Sequence, residues 1–231
     1  MSIAYQLQNV FQRINNAVTQ YNRKSHPVTL LAVSKTHKIS KIQEAFNAGQ
    51  RDFGENYLQE AVGKIIALKD YEICWHYIGP IQSNKTSKIA EYFDWVHSVD
   101  RFKIARRLSE QRSKESEPLN ICLQVNISAE ENKSGVAPDQ LRELMTEVQS
   151  LDGIKLRGLM CIPAKTDDFD QQRLAFREMS QLFHQLQNDF PNLDTLSMGM
   201  SGDLEAAIAE GSTMVRVGTD IFGARNKPLE I

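Results

Sequence analysis

The chain has 231 residues, 41% hydrophobic and 24% charged, with a formal net charge of -2. That is the profile of an ordinary globular protein with enough chain for one substantial core, and roughly 230 to 250 residues suits a single α/β barrel. There is no overall basic field for nucleic acid, no apolar run long enough to span a bilayer and no signal-peptide core, so a cytoplasmic protein without nucleic-acid or membrane partners is expected.

The N-terminal segment places Ile3, Leu7, Val10, Phe11, Ile14, Val18 and Tyr21 at the three- and four-residue spacing of one helix face, with Gln and Asn opposite. The spacing predicts a packing helix ending near Asn22 to Ser25, before Pro27, and no chemistry is visible in it. From residue 28 short apolar runs alternate with helical patterns. The runs predict strands over 28–34, 51–54, 73–78, 94–99, 119–127, 154–162, 193–198 and 213–217. Helical patterns fall at about 40–48, 56–68, 84–91, 101–115, 138–150, 170–189 and 202–210. Strands alternating with helices imply parallel pairing through right-handed crossovers. Eight strands, with a helix after each of the first seven, is the count of a (β/α)8 TIM barrel preceded by an N-terminal helix. An open doubly wound sheet is the alternative and usually has fewer strands. No linker divides residues 1–231, which read as one barrel domain, with 226–231 a short tail. Cys74, Cys122 and Cys161 fall inside strands without CxxC spacing, as reduced core residues would.

In such a barrel the active site is built at the C-terminal ends of the strands. The first strand, Val28 to Val33, is almost wholly apolar and gives way to Ser34-Lys35. A lysine there is a solvated charge or, if the barrel wall and the second cation Lys38 disfavour its charged form, a neutral amine fit for Schiff-base chemistry. Strand 2 ends in Phe53-Gly54-Glu55-Asn56-Tyr57, either a plain turn or a place where Glu55 or Asn56 points into the mouth. In strand 3, Cys74, His76 and Ile78 share a face; His76 is either a satisfied core histidine or a partner for a flat ligand. Strand 4 ends in Ser98-Val99-Asp100, readable as a helix cap. Strand 5 runs into the polar loop 128–135, a candidate rim, and strand 6 ends in the apolar Gly158 to Pro163, suited to a pocket floor.

Strands 7 and 8 carry the most information. Leu196-Ser197-Met198-Gly199-Met200-Ser201-Gly202-Asp203 reads as a small-residue loop opening a helix near Leu204, where backbone N–H groups and the Ser201 hydroxyl favour a phosphate. After strand 8, Gly218 permits close backbone approach, and the N–H groups of Gly218 and Thr219 can complete an anion cradle. Either feature alone is a plain cap or turn. Both together match the recurrent phosphate site of the fold. Arg216 needs a partner wherever it is buried, and pointing into the mouth it can donate to a ring nitrogen or a carboxylate.

Ala32-Val33-Ser34-Lys35, Phe53 to Tyr57, His76 to Lys85, Gly158-Leu159-Met160, Leu196 to Asp203 and Val215 to Gly223 together resemble the pyridoxal-phosphate homeostasis proteins, which are similar to a free-standing N-terminal barrel of alanine racemase. The resemblance spans residues 1 to 225. It implies that Lys35 carries pyridoxal 5'-phosphate as an internal aldimine, that Ser201, Gly218 and Thr219 hold the phosphate, and that Arg216 faces the pyridine nitrogen. It also implies that Asn56, His76 and Met198 line the cofactor. An arginine stays protonated and can only donate, which leaves the ring nitrogen unprotonated and weakens the ring as an electron sink. The eight strands use up the chain, with no room for the second domain that supplies the opposing acid/base in the racemases.

The expectation is therefore a carrier that stores, buffers or delivers pyridoxal phosphate, as a monomer or weak dimer, with amino acids and pyridoxal-phosphate-dependent apo-enzymes as candidate partners. Weak amino-acid racemase activity is the alternative. A cofactor-free Schiff-base aldolase acting on a sugar phosphate is a third reading.

Overall fold

The computed structural model describes residues 2–23, 27–128 and 134–224. The helix α1 (Ile3–Gln20) comes first, followed by β1 (Thr29–Val33), α2 (Ile39–Asn47), β2 (Asp52–Glu55), α3 (Leu58–Ala67) and β3 (Cys74–Tyr77). A 3-10 turn at Ser83–Lys85 leads into α4 (Thr86–Tyr92), then β4 (Trp95–Val99), α5 (Phe102–Gln111), β5 (Leu119–Val125) and α6 (Leu141–Gln149). The chain continues through β6 (Ile154–Cys161), α7 (Phe169–Gln187), β7 (Thr195–Met200), α8 (Leu204–Ala209), β8 (Met214–Val217) and α9 (Thr219–Phe222). The eight strands are parallel neighbours in sequence order, and β8 pairs with β1 to close the barrel.

Strand alternation sorts the side chains into two cores. In β1, Leu30 and Ala32 belong to the large cluster shared with the helices. Leu31 points the other way, to the barrel interior, where with Ile78 it covers Gly54; a Cβ on Gly54 would lie 3.2 Å from Ile78 and 3.3 Å from Leu31. Gly54 is thus small because interior side chains cross there. Helix α1 is capped by the Ser2 hydroxyl and buries Ile3, Leu7, Val10, Ile14 and Ala17 against the barrel, while Phe11 is exposed. Each of the four larger side chains so buried, Ile3, Leu7, Val10 and Ile14, contributes about 1.5–3 kcal/mol, so α1 is held by packing onto α2, α8 and α9.

All eight strands lie where the apolar runs predict them. β7 is the chief shift: it runs from Thr195 to Met200, so Gly199 and Met200 are strand and not loop. Its register slips against β8 between Ser197 and Met200, and Gly199 has φ 95°, a conformation that glycine adopts without a Cβ clash. That irregularity hides the strand's end from a period-two pattern. Residues 24–26, most of the polar loop after β5 (129–133) and the tail from 225 on lie outside the described residues.

Candidate functional site

At the C-terminal ends of the strands lies a cavity of ≈ 240 Å³, and Lys35, Asn56, Ser201, Arg216, Gly218 and Thr219 all line it. Ile78, Met160, Ile162 and Met200 form apolar walls. Cations and small polar groups therefore converge from β1, β2, β7 and β8 on one apolar-walled volume, the composition of a small-ligand site. His76 and Met198 are not among the lining residues. Met198 is fully buried in the cluster shared with the helices, and His76 is buried in the barrel interior.

Lys35 is half-buried on the turn leaving β1. The turn is held from α3: Lys64 donates to the Ser34 carbonyl at 2.8 Å, and Glu60 accepts the Thr36 N–H at 2.7 Å. Thr36 itself has φ 65°, an outlier for a β-branched residue and a sign of local strain at a working position. Glu55 does not point into the mouth as one sequence reading allowed. It faces outward, fully buried, and accepts from Lys64 at 2.7 Å and from the Ser34 hydroxyl at 2.7 Å. Burial pushes its carboxyl pKa up, opposed by Lys64 and Ser34. Lys38 is exposed and outside the lining; the buried cation sharing the cavity with Lys35 is Arg216.

Across the cavity, the β7–α8 and β8–α9 loops present Ser201, Gly202, Gly218 and Thr219. A Cβ on Gly218 would come within 3.1 Å of the Val33 carbonyl, so glycine lets the β8 loop lie close against β1. Helix α1, in which the sequence shows no chemistry, ties these loops together. Arg13 donates to both carboxylate oxygens of Glu205 at 2.7 and 2.9 Å, to Asp220 at 2.6 Å and to the Ser201 carbonyl at 3.0 Å. One guanidinium thus fixes the spacing of α8, α9 and the Ser201 turn. Nothing local to Arg13 signals this, because its partners are 188 to 207 residues away in sequence.

Arg216 is 4% exposed and forms part of the cavity floor. It donates to the Ser197 carbonyl at 2.6 Å, the Ser197 hydroxyl at 2.9 Å and the Cys161 carbonyl at 2.9 Å. Burial lowers its pKa, opposed by Cys161 and Asp203, yet a guanidinium remains charged at any accessible pH. Its remaining N–H groups are available to an acceptor in the cavity. Below it, the Ser197 hydroxyl meets His97 Nδ1 at 2.9 Å, His97 Nε2 meets His76 Nδ1 at 3.0 Å, and His76 Nε2 meets Asp52 at 3.1 Å. Burial, with His76 and Arg216 nearby, holds the His97 pKa well below its usual value. His97 and Ser197 were not singled out from sequence, and His37, which also lines the cavity and packs its ring 5.2 Å from Phe222, was missed too.

The alanine racemase N-terminal domain family matches residues 9–226. The pyridoxal phosphate homeostasis protein of Pseudomonas aeruginosa is 55% identical over 97% of this chain and 96% of its own length. That of Escherichia coli K12 is 50% identical over 97% of both chains. The solved structure of PipY from Synechococcus elongatus with PLP bound superposes with a TM-score of 0.82 at 38% identity, covering 96% of this chain and all of PipY. Alanine racemase from Corynebacterium glutamicum shares the fold, with a TM-score of 0.65 at 17% identity over 94% of this chain and 62% of the racemase. This chain belongs to the alanine racemase N-terminal domain family and, within it, to the pyridoxal phosphate homeostasis proteins.

Proposed function

We propose that the chain binds pyridoxal 5'-phosphate in this cavity and serves its storage, buffering or delivery in the cytoplasm, as a single barrel unit over residues 1–231. The observation that carries the reading is the convergence of Lys35, Arg216 and the Ser201–Gly218–Thr219 cradle on one small volume. The residues fit the group. Asn56 lines the cavity with a buried Oδ1 that has no partner among the described residues, as expected of a group awaiting a polar ligand. The Gly218 approach would be closed by a side chain.

In this reading Ser201, Gly218 and Thr219 hold the phosphate, Asn56 contacts the ring edge, Arg216 donates to the ring nitrogen and Lys35 offers the amine for covalent attachment. When bound, the cofactor supplies an aldehyde and an electron-withdrawing ring. Arg216, a pure donor, leaves the ring nitrogen without a proton, so the site withdraws electrons weakly and turnover of amino acids is poor. His76 and Met198 lie outside the contact set. Amino acids and apo-enzymes accepting the cofactor are the expected partners.

Absorbance titration of purified protein with the cofactor tests the reading. Saturable growth of a visible band at one equivalent supports it, and a protein that stays colourless defeats it. Rapid racemisation of several amino acids by the loaded protein would replace the carrier role with a catalytic one.

A further inference from the structure

The polar chain below Arg216 is continuous across the barrel interior, from the cavity floor to Asp52, the first residue of β2 at the opposite end. Its direction follows from elementary donor and acceptor rules. Arg216 has only donors, so the Ser197 oxygen accepts from it at 2.9 Å. At the far end the Asp52 carboxylate has only acceptors, so His76 Nε2 carries the proton between them at 3.1 Å. With one ring proton on each histidine, His76 Nδ1 is bare and accepts from His97 Nε2–H at 3.0 Å. The remaining His97 Nδ1 is bare and accepts the Ser197 O–H at 2.9 Å. Every group in the series is satisfied once, and all the donors point from the cation to the carboxylate. With the same single proton per ring, the reverse order would set a bare His76 Nε2 against Asp52, two acceptors face to face.

We propose that Ser197, His97, His76 and Asp52 are positioning residues forming a one-way hydrogen-bond relay that holds Arg216 in the cavity floor and ties it to a carboxylate at the other end of the barrel. The relay is shielded: Ser197, His97 and His76 are each 0% exposed, and Trp95 stacks on His76 at 5.5 Å with an interplanar angle of 9°. Only the Asp52 end reaches solvent, its side chain being 30% exposed. Cys74 Sγ lies 3.3 Å from His76 Nε2, and with Asp52 it gives three ligand-type atoms within 4.8 Å of one another. The His76 Nε2 proton already satisfies Asp52, so hydrogen bonds account for the trio. Such aligned chains polarise each other in a low-dielectric interior, so the carboxylate stabilises the cation it never touches. The link to the cofactor rests on the proposed reading of Arg216; the relay itself does not.

Long-range ¹H–¹⁵N spectra of histidine-labelled, cofactor-free protein at pH 8 read the tautomers directly, with His97→Gln used for assignment. The relay predicts the Nε2–H form for both His76 and His97, and loss of that form at His76 in Asp52→Leu, a change at a solvent-touching position. An Nδ1–H form at His97 in the unaltered protein, or unchanged tautomers in Asp52→Leu, overturns it. Cofactor titration of the same two proteins reads the link: about tenfold weaker binding is expected in Asp52→Leu, with Asp52→Asn, which keeps an acceptor, between the two. Equal affinities overturn the link while the tautomers still decide the relay. A protein that binds no cofactor at all removes the proposed function instead.

Discussion

The two sides of the cavity are built by opposite means. On the β1 side one residue, Lys35, carries the chemistry in the proposed reading, on a turn that includes the strained Thr36 and is held by Lys64 and Glu60. On the β7–β8 side the proposed phosphate contacts are spread over backbone, glycines and a hydroxyl, with Arg13 clamping the loops from behind. A covalent bond needs one well-placed amine. A phosphate needs several donors at a fixed spacing, and that spacing is a property of whole loops. The contrast predicts that the β1 side fails abruptly on substitution, whereas the cradle fails by degrees.

The largest effect is expected at Lys35. Lys35→Ala should abolish the visible band of the loaded protein while retaining phosphate-mediated affinity, measured by equilibrium dialysis; an unchanged spectrum would move the attachment elsewhere. Next comes Gly218→Val, which drives a branched side chain toward the Val33 carbonyl, 3.1 Å from even a Cβ. Cofactor affinity should fall tenfold or more, about 1.4 kcal/mol or greater, and wild-type affinity would remove Gly218 from the cradle. Arg13→Ala should weaken binding severalfold with the visible band intact. Its side chain and partners are about one-third exposed, so the stability loss read by urea denaturation should be only about 1 kcal/mol. Abolished covalent attachment in this variant would erase the division between the two sides.

Two smaller effects concern the scaffold. His97 is held neutral, with a folded pKa well below the usual 6.5 of the unfolded chain. Above pH 6.5 both states are neutral and the residue contributes nothing. As pH falls below 6.5 the unfolded chain takes up the proton first, so stability should drop by up to about 1.4 kcal/mol per pH unit. Urea midpoints between pH 7 and 5 measure this, and His97→Gln should flatten the slope; a variant with the same slope assigns the loss to other groups. The smallest expected effect is at Thr36. Thr36→Gly relieves about 1–3 kcal/mol of left-handed strain but raises unfolded-state entropy, for a net gain of about 1 kcal/mol or less in thermal denaturation. A loss would mean that the threonine side chain contributes more than its strained backbone costs.

Much of this division was legible in the sequence, for reasons specific to each element. Val28 to Val33 is an apolar run that breaks at a lysine, and small residues at two strand ends point to the residues that line the cavity; both signals are local. The fold was legible because eight apolar runs alternate with helical patterns; the chief shift is in β7, where Gly199 and the register slip blur its end, and α9 falls where the sequence reads as a turn. What was not legible depends on barrel closure. His76 and His97 are 21 residues apart, and His97 and Ser197 are 100 apart, so no spacing rule links them until the strands curve round. The same holds for Arg13, brought to Glu205 from 192 residues away. His76 was read as either a core histidine or a ligand contact. It is buried in the interior, where it reaches the site through His97, Ser197 and Arg216.

The central claim is that Lys35 is the attachment point opposite a non-covalent cradle. Borohydride reduction of the cofactor-loaded protein followed by peptide mapping by mass spectrometry tests it most directly. One cofactor per chain, fixed on the peptide containing Lys35, is the predicted result. Fixation on Lys38 or any other lysine, or no fixation at all, would contradict it.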